Sequence, residues 1–244
     1  MSIDAPSGRR ARLRAETTSD ILDAARRHLA AEGASALSLR AIARELDMGV
    51  SSIYRYFPSR DDLLTELLVE AFDAQADVVA AAAAAHAEPS AALRAALQAY
   101  RDWSLAHPPE FALAYGSPVP GYQAPAERTI RAGVRAGGTL VDLLERAWRE
   151  GRVDAAVVNE RDARLTAAER SGIDALIARR DYSLPAGLMS LCVDMLVRIH
   201  GFVVMEAFGQ LRPLASDPAA TFGRTIDECL SAVGLGRQDD RRDR

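Results

Sequence analysis

The sequence predicts an all-α fold, on three observations. Apolar residues recur at intervals of three and four rather than two, runs rich in Val, Ile and Thr are missing, and the breaks fall at Gly, Pro and Asp. The 244 residues, 49% hydrophobic and 26% charged, suffice for one or two domains with a substantial core.

The elements follow in order. Thr17 to Glu32 presents Ile21, Leu22, Ala25 and Leu29 on one face and stops at Gly33, which tolerates a left-handed C-cap. A second helix starts after Ser38, a suitable N-cap, with Leu39, Ile42, Ala43 and Leu46 as its apolar stripe. After a break at Asp47, Met48 and Gly49, a short helix covers Val50 to Tyr56, with Val50 or Ile53 and then Phe57 turned inward. Pro58 ends it. Ser59 caps a longer helix with Asp62 in the capping-box position, and Leu63, Leu64, Leu67, Leu68, Ala71 and Phe72 give it a broad buried face. The alanine-rich run 80–87 reads as the end of that helix and a pliable junction. Further helices are expected over Ala91 to Ala106, Thr129 to Glu150, Leu184 to Leu211 and Thr221 to Val233. His107 to Pro125 is interrupted by Pro and Gly, and Asp154 to Asp181 reads as one shorter helix plus a mobile loop.

Composition excludes several functions. All 30 basic side chains are arginine, and a chain without lysine has neither a P-loop phosphate contact nor Schiff-base chemistry. Cys192 and Cys229 lie far apart with no neighbouring Cys or His at ligand spacing, so they read as buried thiols and no metal site is expected. GSPVPG around Ser117 lacks the spacing and the preceding strand of a nucleophile elbow, and neither HExxH nor GxGxxG after a strand occurs. No catalytic residue and no cofactor is therefore expected. No run of roughly 18 uncharged apolar residues suggests a membrane span, and the arginine-rich start is unlike a signal peptide, so a cytoplasmic location is expected.

The net charge of −4 conceals an asymmetry. Residues 1–60 hold ten arginines against seven carboxylates, a net of +3, which leaves −7 for the remainder. The basic end is also where two short helices, a tight break and a capped third helix describe a helix-turn-helix. The short helix turns Ser51, Ser52, Tyr54, Arg55 and Tyr56 outward, where an ordinary surface helix would carry solvated Glu and Arg. Such hydrogen-bonding groups suit a phosphate-lined groove.

The run SLRAIARELDMGVSSIYRYFPSRDDLLTELL resembles the helix-turn-helix of the TetR family, through Ser38, Ile42 and Ala43, the aromatics Tyr54, Tyr56 and Phe57, and the Pro58, Ser59, Arg60 sequence. Asp47 stands where that family usually has a turn glycine, and Asp tolerates the left-handed region better than most residues. The resemblance implies a transcription regulator whose short helix enters the major groove of double-stranded operator DNA. It implies Val50, Ser51 and Arg55 near base edges, and Ser38, Arg40, Ser52, Tyr54, Tyr56 and Arg60 at phosphates. Tyr54 and Tyr56 are alternatively packing residues, and Arg40 a plain surface charge.

The second half resembles a C-terminal domain of the same family, through YRDWSLAHPPEFALAYGSPVPGY and RIHGFVVMEAFGQL, with His200 and Gly201 at its histidine-glycine pair. The tryptophan that commonly precedes this histidine is absent. The resemblance implies a homodimer formed through the last two helices, where Leu188, Leu191, Met195, Ile199, Phe202, Val203 and Phe208 supply apolar surface. It also implies an unknown small-molecule ligand, with a repressor released from a palindromic operator as the expected function. Tyr100, Trp103, His107, Phe111 and Tyr115 combine apolar bodies with polar tips as a ligand pocket needs, though core packing also accounts for them.

The expected organisation is a flexible basic arm at 1–14, a three-helix DNA-binding domain at 15–62, a helical ligand-binding and dimerisation domain at 63–235, and a disordered tail at 236–244. A helical protein-interaction domain, or a small-molecule enzyme without DNA binding, is the alternative.

Overall fold

The structure, a computed structural model, describes residues 5–235, with side chains from Gly8 onward. The described residues form α-helices joined by turns, with no β-strand among them. Contacts divide the chain into two compact units, the first combining residues up to Asp73 with His107–Gly133 and the second combining Ala74–Ala106 with the chain from Val134.

In the first unit α1 (Ala5–Glu32) starts twelve residues before the expected Thr17. The stretch from Gly8 to Ala15 is rich in Arg and Ala, both strong helix formers, so most of the expected arm is helix. A 3₁₀ turn (Ala34–Ala36) leads to α2 (Leu39–Glu45), α3 (Val50–Ile53) and α4 (Arg60–Ala84), whose residues up to Asp73 belong to this unit. Its core is built from Ile21, Leu22, Ala25, Ile42, Ile53, Phe57 and Leu64. Val50, one of the two candidates for the inward position of α3, is 42% exposed while Ile53 is fully buried.

The unit is completed from far along the chain. Within the stretch expected to be irregular, α6 (Pro108–Tyr115) forms, followed after a loop by α7 (Ala126–Gly133). Leu113, Val119 and Tyr122 pack on the core. The Tyr122 hydroxyl lies 3.1 Å from Thr65 Oγ1, and Arg128 donates to Asp62 at 3.3 Å and Glu66 at 3.0 Å on α4. By contacts, residues 107–133 group with the helix-turn-helix in one compact unit.

The second unit comprises the end of α4, α5 (Pro89–Ala106), α8 (Arg135–Arg149), α9 (Ala155–Arg164), α10 (Ala167–Arg180), α11 (Ala186–Ala207) and α12 (Pro218–Ala232). The helix expected over Thr129 to Glu150 is thus broken at Val134. The expected single helix and loop of 154–181 is a pair of helices, because both starts are capped: Asp154 accepts from Ala156 N–H, and Thr166 forms a capping box with Glu169. α11 is the hub, packed on α5, α8, α9, α10 and α12. Its approach to α9 demands Gly187, where a Cβ would meet Val158 O at 2.3 Å. By length and composition α11 could cross a membrane, but Leu188, Met189, Cys192, Met195, Ile199 and Val203 are buried in the unit's core. Cys192 and Cys229 are both buried free thiols, as the sequence suggests, and burial pushes the Cys192 thiol up to about 12. The expected tail at 236–244 lies outside the described residues.

Candidate nucleic-acid interface

The helix-turn-helix is assembled from local signals that agree. Ser38 Oγ accepts from Ala41 N–H at 3.4 Å and caps α2. At the other end Met48 N–H donates to Ala43 O at 2.8 Å and Asp47 N–H to Arg44 O at 3.3 Å, the paired bonds of a Schellman ending. That ending needs a left-handed residue, and Asp47 supplies it at φ 50°. Gly49 then caps α3, which is shorter than the expected 50–56. After Ile53 the chain continues as a tighter turn, with Arg55 N–H on Ser52 O at 3.1 Å and Tyr56 N–H on Ile53 O at 3.0 Å. Ser59 Oγ accepts from Asp62 N–H at 3.0 Å, and the Asp62 carboxylate accepts the Ser59 hydroxyl proton at 2.7 Å. Asp61 and Asp62 also favour the positive end of α4.

With Ile53 and Phe57 fixed in the core, the residues between and before them face out. Val50, Ser51, Tyr54 and Arg55 are exposed, and Ser52 and Tyr56 are half-buried. Arg55 Nη2 donates to Ser52 Oγ at 3.0 Å at the exposed surface of the turn. Arg40 is exposed in the first turn of α2. Arg60, expected at a phosphate, also bonds within the chain: its Nε donates to Leu37 O at 3.1 Å, and its Nη2 to Ala34 O at 2.7 Å and Ser35 O at 3.1 Å. This guanidinium ties the start of α4 to the carbonyls that precede α2.

Two features of this interface have no signature in the sequence pattern. Arg14 of α1 donates to the Arg55 carbonyl at 3.2 Å and lies over the Tyr56 ring. Glu45 of α2 accepts from Arg27 at 2.6 Å and sits 2.8 Å from His28 Nε2, and the hydrogen bonds from these α1 residues, Arg27 first, hold its carboxyl below the usual range. Both tie α1 to the helix-turn-helix, one to the turn after α3 and the other to α2.

The five expected ligand residues fall in different units. Tyr100 and Trp103 are on α5 in the second, and His107, Phe111 and Tyr115 are in the first. Phe111 is fully buried, and its ring centroid lies 5.0 Å from that of Tyr115, which in turn meets Phe72 edge-on at 5.8 Å. In the second unit the Tyr100 hydroxyl lies 2.7 Å from His200 Nδ1. Burial pushes the His200 imidazole below the usual histidine range, so neutral His200 is the stable form.

Next to this pair, Arg101 and Glu206 make a bidentate ion pair between α5 and α11, with bonds of 2.7 and 2.6 Å and side chains 11% and 12% exposed. Arg101 also lies 5.4 Å from the Phe222 ring centroid of α12. The composition gave no hint of it. On the opposite flank of α11, Val193, Val197, Gly201 and Phe208 form an exposed strip, Val197 at 68%. A Cβ on Gly201 would meet nothing within 4 Å in this chain.

Comparison with known proteins agrees with this architecture. Residues 21–67 match the family described as bacterial regulatory proteins, tetR family, and residues 93–229 match the tetracyclin repressor-like C-terminal domain. The HTH-type transcriptional regulator Rv1816 of Mycobacterium tuberculosis is 35% identical over 223 residues, covering 88% of this chain and 91% of the relative. HTH-type transcriptional regulator Mb1846 of Mycobacterium bovis matches with the same identity and coverage. Among solved structures, the regulatory protein SCO4313 superposes with a TM-score of 0.73 at 31% identity, over 91% of this chain and 98% of the other. PfmR of Thermus thermophilus, a TetR family transcriptional regulator, shares the fold at a TM-score of 0.52 and 17% identity, over 89% and 99% of the two chains. With the helix-turn-helix matched at one end and the helical C-terminal domain over most of the rest, the chain belongs to the TetR family of DNA-binding transcriptional regulators.

Proposed function

We propose that this regulator is a homodimeric repressor that reads a palindromic operator with the segment Val50–Tyr56 and leaves it when a small molecule binds the C-terminal domain. The observation that carries the DNA reading is the division of that segment, with Ile53 and Phe57 fully or almost fully buried and Val50, Ser51, Tyr54 and Arg55 exposed. Val50, Ser51 and Arg55 approach base edges, Arg55 as a bidentate donor to guanine. Ser38, Arg40, Ser52, Tyr54 and Tyr56 hold phosphates. For Arg60 the three carbonyl contacts favour a bracing role over a phosphate contact.

The exposed Val193–Phe208 strip supports the dimer. Glycine in mid-helix costs about 1 kcal/mol relative to alanine, and Gly201 packs against nothing in its own chain; close approach of a second copy gives it a use. Two half-sites one helical turn apart, about 34 Å, match such a pair. The setting for this work is the cytoplasm, where the operator is.

For release, the ligand contacts polar-tipped aromatics such as Tyr100 and Trp103, and the response passes along α4, which contributes residues to both units. A complete switch requires the ligand to prefer one arrangement by about 5.5 kcal/mol. A small molecule held equally by free and operator-bound protein leaves the switch without a driving force.

The test is selection of binding sites from random duplexes by the protein and by Arg55→Ala. The expected result is a palindromic consensus whose preference at one position per half-site is flattened by about 1–3 kcal/mol in the variant. Uniform weakening across all sequences would make Arg55 a phosphate contact, and no selection at low salt by the unaltered protein removes the DNA reading.

A further inference from the structure

A four-residue helix cannot hold its own shape, since it closes barely one turn and its last carbonyls have no intrahelical donors. α3 is such a helix, and the turn that continues it uses its N–H groups inward, on Ser52 O and Ile53 O. The Arg55 carbonyl is satisfied from 41 residues away, where Arg14 Nη2 donates to it at 3.2 Å. The same guanidinium lies 5.1 Å from the centroid of the Tyr56 ring. Two consecutive residues of the turn are thus gripped by one side chain, the first by its backbone and the second by its ring. The grip has a rigid mount: Thr18 Oγ1 donates to Arg14 O at 2.8 Å within α1, and Ile21 and Leu22 further along the helix are buried in the core that also holds Ile53 and Phe57.

We propose that Arg14 is a positioning residue of the DNA-reading turn: it caps the continuation of α3 at the Arg55 carbonyl, braces the Tyr56 ring, and so fixes the direction in which Tyr54 and Arg55 leave the turn, without neutralising a phosphate itself. This rests on the reading of Val50–Tyr56 as the DNA-contacting segment and deepens it. The arrangement calls for a guanidinium, because its delocalised planar group donates at the edge while remaining over an aromatic ring. A lysine ammonium carries the same charge without that geometry.

The two roles open to Arg14 leave different traces. A phosphate contact releases counterions, so losing one lowers the slope of log affinity against log salt by about 0.9. Loss of a positioning contact weakens binding at every salt concentration and leaves the slope unchanged.

Arg14→Ala and Arg14→Lys would be titrated with a duplex selected by the unaltered protein across a salt series, and amide hydrogen exchange would be followed in the same full-length proteins without DNA. The expected result for Arg14→Ala is about tenfold weaker binding with the original salt slope, and faster exchange at the Arg55, Tyr56 and Phe57 amides. Arg14→Lys should behave as Arg14→Ala does. A slope lowered by about one, full activity of Arg14→Lys, or unchanged amides would each overturn the proposal. Because exchange needs no duplex, the two readings fail separately: loosened amides in a protein that ignores DNA would sink the DNA reading and keep the grip.

Discussion

Four residues of α-helix open the segment proposed to read DNA, whereas α11 uses twenty-two to hold the second unit together. The short helix buries one residue, Ile53, and takes the rest of its order from outside: the Schellman ending before it, Phe57 after it and Arg14 across it. α11 buries ten residues of its own and still exposes Val193 and Val197. A segment whose side chains must meet a ligand cannot also commit them to its own stability, so its shape is set by its neighbours. A hub helix can lose an outward residue and keep its fold.

The comparison breaks first at the buried ion pair. Glu206→Ala removes both hydrogen bonds from the part-buried Arg101 guanidinium and leaves Asp102, at 3.7 Å, as its carboxylate neighbour, and unfolding in denaturant should show a loss of up to about 3 kcal/mol. Replacing both residues by apolar ones of similar size should recover most of it. An unaltered midpoint in the single variant would mean that α11 is less central than its packing indicates.

Next comes the outward strip. Val197→Arg should leave the helix content unchanged, because Val197 is 68% exposed in the single chain, yet sedimentation should show monomers. An unpaired charge buried in a two-fold interface costs more than about 3 kcal/mol. A persistent dimer would place the interface elsewhere.

The smallest effect is pH-dependent. The His200 imidazole has its pKa lowered in the fold by burial, so the unfolded chain binds the proton more readily. Stability contributed by neutral His200 is complete above the unfolded value of about 6.5 and is lost as pH falls from there through the lower folded value. His200→Gln should flatten this part of the stability profile, and an unchanged profile would assign the dependence to another group.

What could be read in advance was whatever a few adjacent residues decide. Ser38 and Ser59 as caps, Asp47 in the left-handed turn, and Phe57 turned inward all follow from local backbone chemistry. The exposed positions of Ser51, Tyr54 and Arg55 follow from the period of the burial around them. What escaped were the contacts between residues that only folding makes neighbours. Arg60 looks like any cation at a helix start until the carbonyls of residues 34, 35 and 37 are brought to it. Arg14 reads as part of a loose basic arm until α1 extends to Ala5 and delivers it to Arg55. The pairing of Arg101 with Glu206 spans 105 positions, and no spacing rule reaches that far.

Because Leu113, Val119 and Tyr122 close the core around Ile42, Ile53 and Leu64, the first unit is sewn from two separated stretches of chain. During synthesis, that core stays without its outer apolar cover until residues 113–122 have also left the ribosome, which happens only after translation has run well beyond them. Until then an apolar opening remains for chaperones to cover.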